Sequence, residues 1–264
     1  MLDLLRTRLA QGRQTLPIPA EGVTLPERFR GRPSLDCTAC AGRPCVPESV
    51  PLVSGLVRRE AGAPPKLDVG AALFAPEEAV GDRACGVSFT PDYRLSARTR
   101  DGLVSATGEL ESVAALGDAM RSLLGRSLRL RSVAAGSCGG CEAELTALGN
   151  VVFDLARFGI QFVASPRHAD GLVVTGVVND NMRDALLATY EAIPDPRIVI
   201  AVGACAVSGG VFADAGDHGA ARGVGDIVPV DLWIAGCPPH PLTLLDGLLR
   251  LLGRITDGPA GTAR

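Results

Sequence analysis

The chain has 264 residues, 47% of them hydrophobic, and a formal net charge of −3. That length allows a sizeable core and two domains. The acidic balance, with no basic stripe interleaved with aromatics, argues against nucleic acid as a partner. No apolar run reaches the roughly 18 residues that a membrane-spanning helix needs.

Residues 1–16 open with MLDLLRTRLA. Leu2, Leu5 and Leu9 share one helical face, and Arg6 and Arg8 fall largely off it. Two readings follow: a short helix packed on its own domain, or an amphipathic docking helix for a membrane surface or membrane subunit. Asp3, Arg6 and Arg8 interrupt the leucines, so the apolar stretch of a signal peptide is missing. Arg58-Arg59 lies too far inside for a twin-arginine export signal. A cytoplasmic location is expected. Thiols there are kept reduced, so the eight cysteines point to metal binding over disulfides.

Residues 17–108 are rich in Pro and Gly and weakly periodic; they hold Cys37, Cys40, Cys45 and Cys85. Residues 109–127, ELESVAALGDAMRSLLGRS, read as a linker helix between two halves. From residue 128 to 264 the pattern is α/β. Apolar runs near 128–135, 160–164, 171–177, 197–203 and 230–235 predict buried parallel strands. Helical patterns follow at 141–158, 181–193 and 241–252, which predicts a doubly wound, mostly parallel, flavodoxin-like sheet. Asn181 is a candidate cap for the second helix, and Pro241 suits a first helical turn.

Four cysteines sit just past strand-like runs. Cys138 and Cys141 follow SLRLRSVAAGS, Cys205 follows RIVIAVGA, and Cys237 follows VDLWIAG. Loops at the carboxyl ends of parallel strands converge. Thiolates gathered there suit a soft metal centre. Cys138-x-x-Cys141 places two of them on a turn entering a helix, whose amides favour the thiolate. By spacing alone an iron–sulfur cluster, structural zinc and unligated core thiols all stay open. Zinc more often uses two Cys-x2-Cys knuckles, and only one is present here.

GSCGGCEAEL at 136–145, FVASPRHADGLVVTG at 162–176, NM at 181–182, AVGACAVSGGVF at 201–212 and VPVDLWIAGCPPHP at 228–241 together resemble one family. It comprises the B subunit of respiratory complex I and the small subunits of membrane-bound, energy-converting [NiFe] hydrogenases of the formate hydrogenlyase type. The resemblance implies one [4Fe–4S] cluster on Cys138, Cys141, Cys205 and Cys237, close to a partner's active site. Complex I subunits carry two adjacent cysteines at the first position, so Cys-x-x-Cys resembles the hydrogenase branch. It also implies that Glu144 stands beside the cluster and the large-subunit interface, where it and His240 are candidates for a proton relay. For His240, capping or packing is the plainer role, and for Glu142 the plainer role is to complement a helix N-terminus. Arg167 and His168 are candidates to face the cluster and raise its potential, or form a solvated loop pair.

FRGRPSLDCTAC, LDVGAALFAPEEA and VSFTPDYRLSARTRDGLV resemble a bacterial two-cluster ferredoxin domain. The pattern is degenerate. Cys37 and Cys40 are kept, the third cysteine is displaced to Cys45, and Ser49 stands where three further intervening residues lead. Aligned from Asp68 without gaps, the second run carries Ala72, Ala75, Glu78 and Asp82 at ligand positions, with Cys85 three residues late. Shifted by three, it carries Ala75, Glu78, Gly81 and Cys85. Either way Cys37, Cys40, Cys45 and Cys85 remain, enough for one cluster, for zinc, or for a metal-free vestige.

The expected function is electron transfer by an iron–sulfur subunit of a membrane-attached oxidoreductase complex, between a ferredoxin-like entry domain and a large subunit that holds the catalytic site. GSCGGCE lacks the G-x-G-x-x-G spacing of a dinucleotide site, and nothing else supplies a nickel or flavin site. Expected partners are that large subunit, membrane-arm subunits and a soluble electron donor or acceptor protein. Attachment to the inner face of the cell membrane would run through them. The alternatives are a nickel-free, quinone- or ferredoxin-linked proton pump, and a zinc-stabilised scaffold or assembly subunit.

Overall fold

A helix opens the chain: α1 (Leu2–Gln11), followed by β1 (Pro33–Asp36), β2 (Val57–Arg58), β3 (Lys66–Asp68), β4 (Gly86–Phe89), β5 (Ser96–Ala97), β6 (Val104–Ser105) and α2 (Asp118–Leu124). The second half runs β7 (Leu128–Ala134), α3 (Gly140–Ala147), β8 (Ile160–Phe162), β9 (Gly171–Thr175), α4 (Asp180–Glu191), β10 (Ile198–Val202), α5 (Gly203–Ser208), β11 (Leu232–Ile234) and α6 (Pro241–Leu251). The structure is a computed structural model that describes residues 2–18, 23–36, 55–58, 64–76, 86–124, 127–213 and 223–256.

The principal sheet has the order β5-β11-β10-β9-β7-β8. Its five strands from the second half are parallel, and β5 adds an antiparallel edge on β11. Read in chain order, the parallel strands stand second, first, third, fourth, fifth, which is the flavodoxin-like order. GLVVT in β9 and IVIAV in β10 are buried at every position, because helices cover both faces. Leu145 and Leu148 after β7 and Leu244 and Leu248 of α6 fill one face with Leu128 and Leu130. Leu186 of α4 and Ala206 and Val207 of α5 fill the other with Val133, Leu172 and Val174.

Three sequence expectations change. The expected helix over 141–158 stops at Ala147. Asn150 ends it, because its side chain accepts the N–H groups of Val152 and Phe153 and closes a local turn. Asn179, not Asn181, caps α4, since its Oδ1 accepts from the Met182 N–H at 3.1 Å. Among the described residues of 109–127 only α2 is helical. The preceding stretch lies along α6 instead: the Leu116 N–H donates to Leu251 O at 2.8 Å, and Arg250 Nη1 donates to Ser112 Oγ at 2.9 Å. Val113, Leu116 and Leu124 join the same core, so every residue of α6 is buried.

The first half forms two small antiparallel sheets, β1-β4 and β2-β3-β6. Leu35, Leu56, Val57, Leu67, Ala72 and Val87 make their shared core. α1 is helical as its leucine spacing predicts, yet none of its residues is buried. Among the described residues no helix is long and apolar enough to cross a membrane.

Candidate metal centre

Three loops at the carboxyl ends of β7, β10 and β11 carry the four strand-end cysteines. β7 runs into Cys138, Gly139 turns the chain at φ 88°, and Cys141 is the second residue of α3. β10 passes directly into α5, where Cys205 is the third residue. β11 leads through Gly236 to Cys237.

The three loops touch. The Ala204 N–H donates to Gly236 O at 2.8 Å, tying the Cys205 loop to the Cys237 loop. A Cβ built on Gly140 would lie 3.5 Å from Cys138 Sγ and 3.6 Å from Pro238 Cγ, so the first loop meets the third. A Cβ on Gly203 would lie 2.5 Å from Cys141 Sγ, and Gly203 has φ 88°. Only glycine leaves that thiol its space.

Cys141 and Cys205 are half-buried, while Cys138 and Cys237 are exposed. Burial pushes the Cys141 thiol up to about 12; Glu142 and the thiols of Cys205, Cys237 and Cys138 push the same way. Burial also pushes Cys205 up to about 11, with Cys237, Cys138 and Glu142 adding and a backbone hydrogen bond opposing. Charge on Cys138 or Cys237 thus bears on both half-buried thiols, Cys141 and Cys205. A cationic centre beside these thiols would favour their ionised form. Among the described residues, no group of three His, Cys, Asp or Glu is placed to hold a single metal ion. A cluster takes one thiolate at each of four separate irons, so a soft donor set spread over three loops fits it.

Glu142 does more than face a helix N-terminus. Its Oε1 accepts the Ser137 hydroxyl at 2.6 Å and the Thr175 hydroxyl at the end of β9. Burial raises its pKa, but the Ser137 and Thr175 hydrogen bonds win and hold it below the usual value. Glu142 thus staples the Cys138–Cys141 loop to the neighbouring strand. Sequence reasoning missed this link, and Thr175 had no signal beyond ending an apolar strand.

Glu144 and His240 line one cavity of about 230 Å³ beside Pro238, together with Arg28, Phe29 and Thr243. Burial raises the Glu144 pKa and lowers that of His240. His240 caps α6: its Nδ1 accepts the Leu242 N–H at 3.2 Å, which leaves the ring proton on Nε2. Phe29 and Phe153 pack edge-on against the ring.

Arg167 and His168 lie on an exposed 3-10 turn, Pro166–His168, between β8 and β9. Both strands meet β7 at Leu130, well before Cys138. Cys37, Cys40, Cys45 and Cys85 lie outside the described residues. Ala72, one of the alternative ligand positions, is fully buried in the small apolar core.

Residues 138–251 match the family described as NADH ubiquinone oxidoreductase, 20 Kd subunit. The chain is 42% identical over 132 residues to the probable membrane-bound hydrogenase subunit mbhJ of Pyrococcus furiosus, covering 50% of this chain and 78% of that one. The chain belongs to the family of the 20 kDa subunit of NADH ubiquinone oxidoreductase. It is 41% identical over 159 residues to formate hydrogenlyase subunit 7 of Escherichia coli (strain K12), covering 60% of this chain and 62% of that one. It is 43% identical over 125 residues to the B subunit of NADH-quinone oxidoreductase from Saccharopolyspora erythraea, covering 47% of this chain and 56% of that one. It thus spans less than two thirds of the length of these last two relatives. Identities of 41% to 43% do not separate hydrogenase subunits from quinone oxidoreductase subunits. The match to the 20 kDa family begins at Cys138, takes in all four strand-end cysteines and ends with α6.

Proposed function

We propose that this chain is the electron-transfer subunit of a membrane-attached oxidoreductase complex of the hydrogenase type, holding a [4Fe–4S] cluster on Cys138, Cys141, Cys205 and Cys237. The observation that carries the reading is the convergence of three strand-end loops, which brings the turns bearing the four cysteines together inside the family-matched stretch. When bound, the cluster supplies one-electron transfer. The chain's residues do the holding. Gly203 keeps space beside Cys141, Glu142 fixes the first loop, and half-burial of Cys141 and Cys205 limits water on the inner side. Cys138 and Cys237 are exposed, and this open side would face the catalytic large subunit. The Cys138-x-x-Cys141 spacing favours a hydrogenase-type partner over a nickel-free one. Membrane attachment would come through partner subunits.

A second cluster is proposed for Cys37, Cys40, Cys45 and Cys85, in a domain derived from a ferredoxin. The described residues beside two of these cysteines support the reading. Asp36, next to Cys37, pairs across the β1-β4 sheet with Gly86, next to Cys85.

Iron analysis and electron paramagnetic resonance of the anaerobically purified chain test both sites. The wild type is expected to hold about eight irons, and Cys205→Ala or Cys237→Ala about four. Full iron in either variant would show the ligand assignment to be wrong. About four irons in the wild type, unchanged in Cys85→Ala, would remove the second cluster.

A further inference from the structure

We propose that Arg100, clamped by Asp68, is a positioning residue for Cys205. It would lock the end of α5 and so fix where that thiol stands. The proposal rests on the ligand role given to Cys205 above.

α5 has six residues, too few to hold a helix by its own hydrogen bonds. Its first turn is fixed by β10 and by the bond from Ala204, its second residue, to Gly236. Its far end is fixed from the other half of the chain. Arg100 Nε donates to Val207 O, in the last turn of α5, at 3.2 Å. The same guanidinium donates from Nη1 and Nη2 to both oxygens of Asp68, at 2.8 and 2.7 Å. The fork is planar and rigid, so anchoring two edges of it aims the third. A cation there also suits a helix C-terminus.

Asp68 is itself held. It is 1% exposed, takes a second cation from Arg58 at 2.5 Å, and accepts the Gly70 N–H at 3.1 Å. The 3-10 turn that it caps, Val69–Ala71, packs against α5. A Cβ on Gly70 would stand 2.6 Å from Val207 Cγ1, and Val207 is buried. Val207 is two residues past Cys205, so a shift of its turn moves the thiol. Asp68, Gly70 and Arg100 all lie outside residues 138–251 that match the family. The strut is thus supplied by the chain's first half.

The test uses the full-length chain and the variants Arg100→Lys and Gly70→Ala. Lysine keeps the charge but lacks the fork; alanine wedges the turn away from Val207. Amide hydrogen exchange is followed over 203–208 in metal-free protein, with β7 and β9 as internal references. Both variants are expected to exchange roughly tenfold faster over 203–208 alone. After reconstitution, the paramagnetic signal of the cluster in each variant should differ in shape from wild type. Unchanged exchange over 203–208, or an equal rise in β7 and β9, overturns the proposal. If exchange responds as expected but the wild type takes up no cluster, the strut stands and the ligand reading fails.

Discussion

Single residues decide the geometry of the first cysteine loop. Thr175 is fully buried, and its hydroxyl donates to a Glu142 carboxylate that Ser137 also holds. Thr175→Val keeps the shape and removes one donor from a partly buried anion. Such a loss costs about 1–3 kcal/mol. The expected outcome is a lower denaturation midpoint together with faster loss of iron from the Cys138–Cys141 side, read by chelator competition. Unchanged iron release would show that Glu142 does not need Thr175 to hold the loop. The contrast with the cysteines shows what a sequence reveals at this scale. Cys138, Cys141, Cys205 and Cys237 were legible because thiols just past apolar runs must meet at one edge of a parallel sheet. Glu142 was legible only as a helix-start carboxylate. Its real partner lies 33 residues away on β9, and a side-chain bond between two elements leaves no periodic trace.

At the scale of elements, the strands were legible because burial on both faces demands continuous apolar runs. α5 was not: six residues of GACAVS give no helical period, and it is held by contacts from elsewhere. The stretch before α2 misled for another reason. Leu110, Val113 and Leu116 repeat every three positions, but Leu110 packs in the α4 and α5 core and the other two pack with α6, so they share no helix face. α6 is buried all round, which encloses the ion pair of Asp246 and Arg250 at 2.9 Å. Burial raises the Asp246 carboxyl, and the hydrogen bond and charge of Arg250 oppose it without cancelling it. Because the folded pKa is raised, the charged carboxylate detracts from stability at pH values above its unfolded pKa. That cost disappears as the pH falls below it. Asp246→Leu with Arg250→Met together is therefore expected to match the wild type or exceed it at neutral pH. The advantage should shrink as the pH falls towards about 4 and be gone below it. Asp246→Leu alone leaves a buried guanidinium without its carboxylate, though still bonded to Ser112, and should be less stable than the paired variant. Urea denaturation of the three variants at several pH values checks the sign. A paired variant far less stable than the wild type at neutral pH would show that the pair itself stabilises α6.

The whole molecule is less divisible than its sequence suggests. The family match covers residues 138–251, and the α/β pattern starts at 128, so a boundary near 127 looks natural. Residues before it complete both faces of the sheet. Val69, Leu95, Ala97 and Leu103 are buried in the core on the α4 and α5 side. Val113, Leu116 and Leu124 are buried on the α6 side. β5, only two residues long, closes the β11 edge, and Arg98 Nη1 bonds Asp231 O beside it at 2.5 Å. So short a strand has no signature in sequence, which is why this weave was invisible there. A fully buried Val or Leu contributes about 1.5–3 kcal/mol. Removing these side chains therefore forfeits on the order of 10 kcal/mol, as much as a domain's entire margin. A chain cut to residues 128–264 is expected to be unfolded or insoluble. A chain cut to residues 93–264, which keeps β5 and the strap over α6, should fold cooperatively with a lower midpoint than the full chain. Circular dichroism melts, with Trp233 fluorescence as a second probe of the β11 edge, distinguish the two. A cooperative melt of 128–264 at the full-length midpoint would show that the first half is an appended module and not part of the sheet's core.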